Sequence, residues 1–431
     1  MRPSGFLRIA LPLLCSLLAC TVTSAQSDLP PGILKLSRLN RKMAVVLDEL
    51  PAFSCLETIS RSVRNSKSTR LTPLDTLRLE VGFVGGKEVY SWPGVKRFNE
   101  SSISDLIGVG LTSNGEFAAH ARNIFVNRIA EVSYVGEEAL HGHSAAKYRY
   151  RIPSLYSAWR LTFAGRSGLA SSHGLFWVDT ETLDLLRLEI DADQIPPDLP
   201  VKSVRTQIDY SPVRLGGKDS WIPQTAQLLW EDFAGSAGRN DIAFSHCRTF
   251  STDTAISFGD APPRDVVATA SSTLLDIPGN VSLTMQLDTP IDSARSSAGD
   301  EIRAIVKRSV VRNGQVVVPE GAVVSGRIRR LERYDEPRPH FVVGLEFTEV
   351  AFGGKAGVFL GRLESFDGLA NASQTRVTSR SRANVLNETV TTETEVFEPV
   401  ELRGVGTFIV EGDHFVIDDK FHMTWRTQEK K

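Results

Sequence analysis

The sequence predicts a mainly β protein: a curved antiparallel half-barrel carrying two helices, followed by a second small β-barrel or sandwich domain. Three observations predict it. Apolar residues alternate with polar ones through most of the chain, the period of a half-buried strand. Clusters of Gly, Pro, Asp and Asn punctuate those runs at short intervals. Only two stretches carry the three-and-four spacing of a helix, so repeating β-α units are excluded. The chain has 431 residues, enough for two or three domains with cores of their own. With 49 Lys+Arg against 51 Asp+Glu, it lacks the basic surplus that nucleic-acid binding requires. Its 4 cysteines exclude a disulfide-dense scaffold and a multi-cysteine zinc module.

Residues 1–25 read as a secretory signal. Two arginines and no acid precede the apolar run Ile9 to Ala19, which is too short to span a bilayer. Thr23-Ser24-Ala25 has the small-x-small pattern of ordinary cleavage, which would start the mature chain at Gln26. Leu17-Leu18-Ala19-Cys20 resembles a lipobox, in which Cys20 would be lipidated. No later stretch is long and apolar enough to span a membrane as a helix. Removing the signal leaves Cys55 and Cys247 in an oxidising compartment, where a disulfide can persist. The alternative is two separately buried thiols. A curled antiparallel sheet brings its first and last strands together, which is where these two cysteines fall.

Pro31 to Leu50 reads as a helix, with Leu36, Leu39, Met43, Val46 and Leu50 on one face, Pro31 in the first turn and Pro51 as its stop. Leu77, Leu79, Val81 and Phe83 then alternate along a strand that reaches the Gly85-Gly86 hairpin turn. Ser113-Asn114-Gly115-Glu116 has the form of a capping box before a second helix, whose apolar face holds Phe117, Ala121, Ile124 and Phe125. A meander follows from Glu131 to Phe250, with strands centred on Ala145 to Ile152, Gly174 to Asp179, Leu185 to Asp191, Ser203 to Arg214, Ser220 to Trp230 and Asp241 to Phe250. The first domain is read as residues 26–258, and 259–273 as a Pro-containing linker. The second domain is read as 274–431, with an Asn313-Gly314 hairpin and a long polar loop at about 367–398.

Trp177-Val178-Asp179-Thr180-Glu181-Thr182, with Leu185-Leu186-Arg187-Leu188-Glu189 after it, resembles the hairpin of the LolA/LolB lipoprotein-carrier superfamily, which includes RseB-type sensors. The resemblance covers roughly Pro31 to Phe258 and implies a half-open barrel plugged by helices, with an apolar interior for acyl chains or lipoprotein partners. The order of Cys55-x-x-Thr58, the capped helix and this hairpin also resembles a group of exported bacterial proteins. In the second domain, Ile277-Pro278-Gly279, Leu287-Asp288-Thr289-Pro290, Gly299-Asp300 and Val318-Pro319-Glu320-Gly321-Ala322 resemble the TrbI-like barrel domain of type IV secretion proteins. Neither the anchor and stalk nor the apolar antenna helix of that family is present, so the resemblance implies a small β-barrel rather than a channel.

No nucleophile elbow, P-loop, dinucleotide fingerprint or His-Glu-x-x-His occurs. His141-Gly142-His143 could bring two imidazoles to one metal, though a glycine turn favours a solvated loop. Arg327 and Arg329 share a strand face within the cluster completed by Arg330 and Arg333, and a solvated face is expected for them. The resulting expectation is a non-catalytic, exported envelope protein of the periplasm, outer-membrane associated if Cys20 is lipidated, with no cofactor and no metal. Leu77, Leu79, Val81, Phe83, Phe117, Ile124 and Phe176 would line the site for a hydrophobic ligand or lipidated protein. The second domain would dock or scaffold other envelope proteins. The alternative is a structural or interaction module whose interior is filled by its own side chains.

Overall fold

The computed structural model describes residues 31–95, 98, 103–107, 109–156, 159–163, 166–249, 275–374, 392–397 and 402–428. The signal segment with Cys20 and the linker 259–273 lie outside these residues. In the first half the elements are α1 (Pro31–Asp48), β1 (Phe53–Arg64), β2 (Thr72–Val84), β3 (Lys87–Ser91), α2 (Ile103–Leu106), β4 (Gly110–Ser113) and α3 (Ala119–Phe125). Then come β5 (Glu131–Leu140), β6 (His143–Ile152), β7 (Trp159–Phe163), β8 (Arg166–Asp179), β9 (Leu185–Asp193), β10 (Val201–Leu215), β11 (Lys218–Asp232) and β12 (Ala237–Thr249). Their sheet runs β3-β2-β1-β12-β11-β10-β9-β8-β7, with the β5-β6 hairpin bonded to β8. First and last strands pair, as curling requires: Ile59 lies opposite Ile242. A disulfide joins Cys55 to Cys247 across that pair, with Cα atoms 4.0 Å apart.

Turn chemistry sets the register. Gly85 and Gly86 have φ of 58° and 81°, the pair of positive values that a tight two-residue hairpin demands. The Asp179 carboxylate accepts hydrogen bonds from the amides of Glu181 and Thr182, each 2.8 Å, and so folds the turn between β8 and β9. Period-2 alternation then sends Phe53, Cys55 and Ile59 of β1 and Leu77, Leu79, Val81 and Phe83 of β2 to the same buried side. Leu39, Met43 and Leu47 of α1 and Ala121, Ile124 and Phe125 of α3 join that cluster. The half-barrel with helices on its concave side, implied by the LolA/LolB resemblance, is the observed architecture.

A second sheet of nine strands encloses its own core, which includes Met285, Phe347, Phe408, Phe421 and Trp425. Asn313 and Gly314 again supply two positive φ values at a hairpin tip. Three features depart from the sequence reading. The supposed polar loop contributes strands: Ala372–Gln374 joins the second sheet, and Thr392–Phe397 lies between β7 and β4 of the first. The capping box does not form, because α3 starts only at Ala119 and its N-cap residue, Ala118, makes no side-chain cap. The Ser113 hydroxyl bonds the Glu116 carboxyl instead. The expected solvated arginine face is half-buried against the first half of the chain. Arg327 and Arg329 stack on Trp92 at 5.6 and 4.9 Å, and Arg329 also pairs with Glu346 at 2.8 Å.

Two bidentate ion pairs complete this seam. Arg61 grips Asp75 at 2.7 and 2.6 Å, and Arg330 grips Glu332 at 2.7 and 2.6 Å. Backbone bonds join Arg78 to Ala298 and Ala298 to Thr76, at 2.8 and 3.0 Å. Gly299, at φ 104°, lets the backbones meet there, since a Cβ would stand 2.1 Å from the Arg78 carbonyl oxygen.

Candidate functional site

The seven apolar residues singled out in the sequence converge on the concave side. Each is at most 3% exposed, and all seven belong to one cluster. Phe83, Phe53, Phe117 and Phe244 form a chain of ring contacts at 5.6, 5.2 and 4.8 Å. Phe176 meets Phe125 and Tyr148, each at 5.0 Å. Offset and edge contacts of this kind add about 0.5–1.5 kcal/mol each beyond area burial. The cover over this face comes from separate segments: α1, the Asn114–Ala118 loop and α3.

Polar bonds tie the helices of that cover to the sheet and to each other. Lys35 reaches Glu137 at 2.8 Å, Lys42 pairs with Asp184, and Arg122 of α3 donates to the Leu47 carbonyl at 2.6 Å. An open groove of about 360 Å³ runs along the outer side of α1, beside Arg38, Arg41, Lys42, Val45 and Val46.

Beneath the cover lies a polar centre that apolar patterning did not reveal. Glu88 on β3 accepts from the amides of Gly115 and Phe117, at 2.7 and 2.8 Å, and from the Tyr90 hydroxyl at 2.9 Å. It therefore fastens the loop whose capping box fails to form. Glu57 and Glu116 are each 2% exposed. Burial pushes the Glu57 carboxyl well up, reinforced by Glu116 and Glu88. Burial and the Glu88 charge raise Glu116 to about 7, against the pull of the Ser113 hydrogen bond. Three carboxyls so placed cannot all ionise together. Burial raises the Glu88 carboxyl too, but the Gly115, Phe117 and Ala118 amides and the Tyr90 hydroxyl pull it back, so it is the best placed of the three to hold the charge. His120 on α3, edge-on to Trp159 at 5.9 Å, is lowered by burial to about 4 and stays neutral.

These shifts predict a stability profile. A carboxyl whose folded pKa is raised holds its proton more tightly in the folded state. Its contribution is complete below about pH 4.5 and fades as pH climbs through 7, by up to about 1.4 kcal/mol per pH unit per group. His120 acts at the other end, with stability lost as pH falls through 6.5 toward 4. Glu116→Gln is expected to flatten the alkaline limb: the variant should gain on the parent at pH 8 and not at pH 5. Urea unfolding at both values measures this, and parallel profiles for the two proteins would refute the assignment.

The histidine motif divides between two carboxylates. His141 Nε2 lies 3.2 Å from Asp209, and His143 Nδ1 lies 2.8 Å from Asp179. Among the described residues no group of three His, Cys, Asp or Glu side chains is placed to hold a metal, and no helix is long and apolar enough to cross a membrane.

No family model matches the chain, and no curated protein matches it. Solved structures do. A DUF1329 family protein from Desulfovibrio piger is 14% identical, with a TM-score of 0.28, over 51% of this chain and 94% of its own. An outer membrane lipoprotein-sorting protein domain from Vibrio parahaemolyticus is 12% identical, with a TM-score of 0.27, over 49% of this chain and 90% of its own.

Proposed function

We propose that the chain is a non-catalytic protein of the bacterial cell envelope whose half-barrel takes a hydrophobic ligand, either a lipid or the acyl chains of a lipidated partner, on its concave face. The observation that carries this reading is the division of labour at that face. A continuous apolar sheet surface is covered by helices from other segments; among the described residues, Lys35–Glu137 and Lys42–Asp184 tie α1 to the sheet, and Arg122 ties α3 to α1. Such a cover can swing aside without breaking the sheet. The second domain, seated against β2 and α2, serves as the docking unit. Export through residues 1–25 and the sequence resemblance to lipoprotein carriers agree with this reading.

Saturable binding of a fluorescent hydrophobic probe, one per chain, is the expected result. Lys42→Ala loosens α1 and is expected to tighten binding several-fold. The complete burial of Leu79, Val81 and Phe176 favours a second reading, a module with a permanently filled core. Absence of saturable binding to either protein would select it.

A further inference from the structure

Among the described residues, two buried polar atoms of the first domain's core, Glu57 Oε2 and the Tyr210 hydroxyl, have no hydrogen-bond partner. Tyr210 is 7% exposed and belongs to the same buried cluster as Phe117 and Phe244; burial raises its hydroxyl pKa, and the Glu116, Glu88 and Asp209 carboxyls add to that. Glu116 and Glu88 also act on Glu57. An unmet buried polar group is costly, and phenylalanine at 210 or leucine at 57 would avoid that cost. A position that only needed filling would not hold both.

The third member, Glu88, shows what this place receives. Everything bonded to it is a donor: the Gly115 amide, the Phe117 amide and the Tyr90 hydroxyl. Two of those donors belong to the loop that must leave if the concave face opens. Whatever replaces them must donate hydrogen bonds to a carboxylate, in a setting of further carboxyls that repels anions. A primary ammonium does this best, with three donors and a compensating charge. The aromatic wall of Phe53, Phe83 and Phe244 then lies beside it for a chain.

We propose that Glu57, Glu88 and Tyr210 form a head-group site for an amphiphile bearing a primary ammonium, and that the Gly115 and Phe117 amides occupy it in the closed form. The proposal rests on the reading of the concave face as a ligand site, and it names the class of ligand.

The test is displacement of the fluorescent probe from the full mature chain by dodecylammonium, dodecanol and dodecanoate, each below its micellar concentration. Dodecylammonium is expected to compete at least tenfold better than dodecanoate, with dodecanol between them. Tyr210→Phe and Glu57→Gln should each shrink that ratio at least threefold, each ratio being taken relative to that variant's own affinity for the probe. Equal competition by all three amphiphiles, or an unchanged ratio in Tyr210→Phe, overturns the head-group site and leaves the hydrophobic site standing. Failure of the probe to bind at all removes both.

Discussion

Cys55→Ala and Cys247→Ala are each expected to lower the melting temperature by about 5–15 °C, with the double variant no worse than either. The bond closes a loop of 192 residues, a separation for which the chain-entropy model gives about 5 kcal/mol. Measured values run nearer 2–4 kcal/mol, and in a domain of this size each kcal/mol moves the midpoint by about 2–4 °C. The two cysteines sit on strands that are already hydrogen-bonded neighbours, where the β1–β12 register shifts between Ser54 and Leu56. The bond spans the bulge that leaves Cys55 and Cys247 out of the β1–β12 register, while Ser54–Arg248 and Leu56–Ser245 already hold the strands on either side. Its effect falls on the unfolded chain, which it prevents from separating the ends of the half-barrel. Reductant should reproduce the loss in the parent protein and leave the variants unmoved. A parent whose midpoint ignores reductant, with two thiols alkylated only after reduction, would show that the bond forms without stabilising the fold.

The disulfide was legible because the secretory-signal pattern of residues 1–25 and the strand order both point to it. The apolar half of the candidate site was legible for a similar reason: Leu77, Leu79, Val81 and Phe83 announce an inward face by alternation alone. The polar half was not. Glu57 and Arg61 stand in phase with Phe53, Cys55 and Ile59, so a charged residue at an inward position was the available signal. Read singly, such a residue suggests a lapse in the pattern. Its meaning comes from partners that sequence separation hides, namely Glu88 and Glu116 for Glu57, and Asp75 for Arg61. The capping box misled for a related reason. Ser113 and Glu116 have the right spacing, but Glu88 arrives from β3 and takes the Gly115 and Phe117 amides. A local motif lost to a tertiary one. The arginines of Val323–Tyr334 looked like a solvated face because nothing in their own strand predicts Trp92 or Glu346.

That seam yields the other large effect. Arg61 and Asp75 are 2% and 1% exposed at their side chains, and Arg330 and Glu332 are 2% each. The four charges act on one another across the boundary between the two cores: Glu332 on Arg61, and both Glu332 and Arg330 on Asp75. Arg61 also donates to the Val109 carbonyl, and Tyr334 donates to Glu332 at 2.9 Å, so most of the polar valence is met. A pair of this kind need not add stability over an apolar replacement, but its half is costly, because the survivor stays charged or must be neutralised out of reach of water. Arg61→Met is accordingly expected to cost about 3–5 kcal/mol. Burial already pushes the Asp75 carboxyl up against the pull of Arg61, so the stranded acid will take a proton and part of the loss should be recovered at low pH. Adding Asp75→Leu to Arg61→Met should restore at least half of the deficit, since the double variant buries no lone charge. A double-mutant cycle by urea unfolding reads the coupling directly. If the two losses simply add, or if Arg61→Met costs less than about 1 kcal/mol, then the pair is wetter than its geometry implies and the two cores are held together by the Thr76–Ala298 and Arg78–Ala298 backbone bonds and the Trp92 contacts instead.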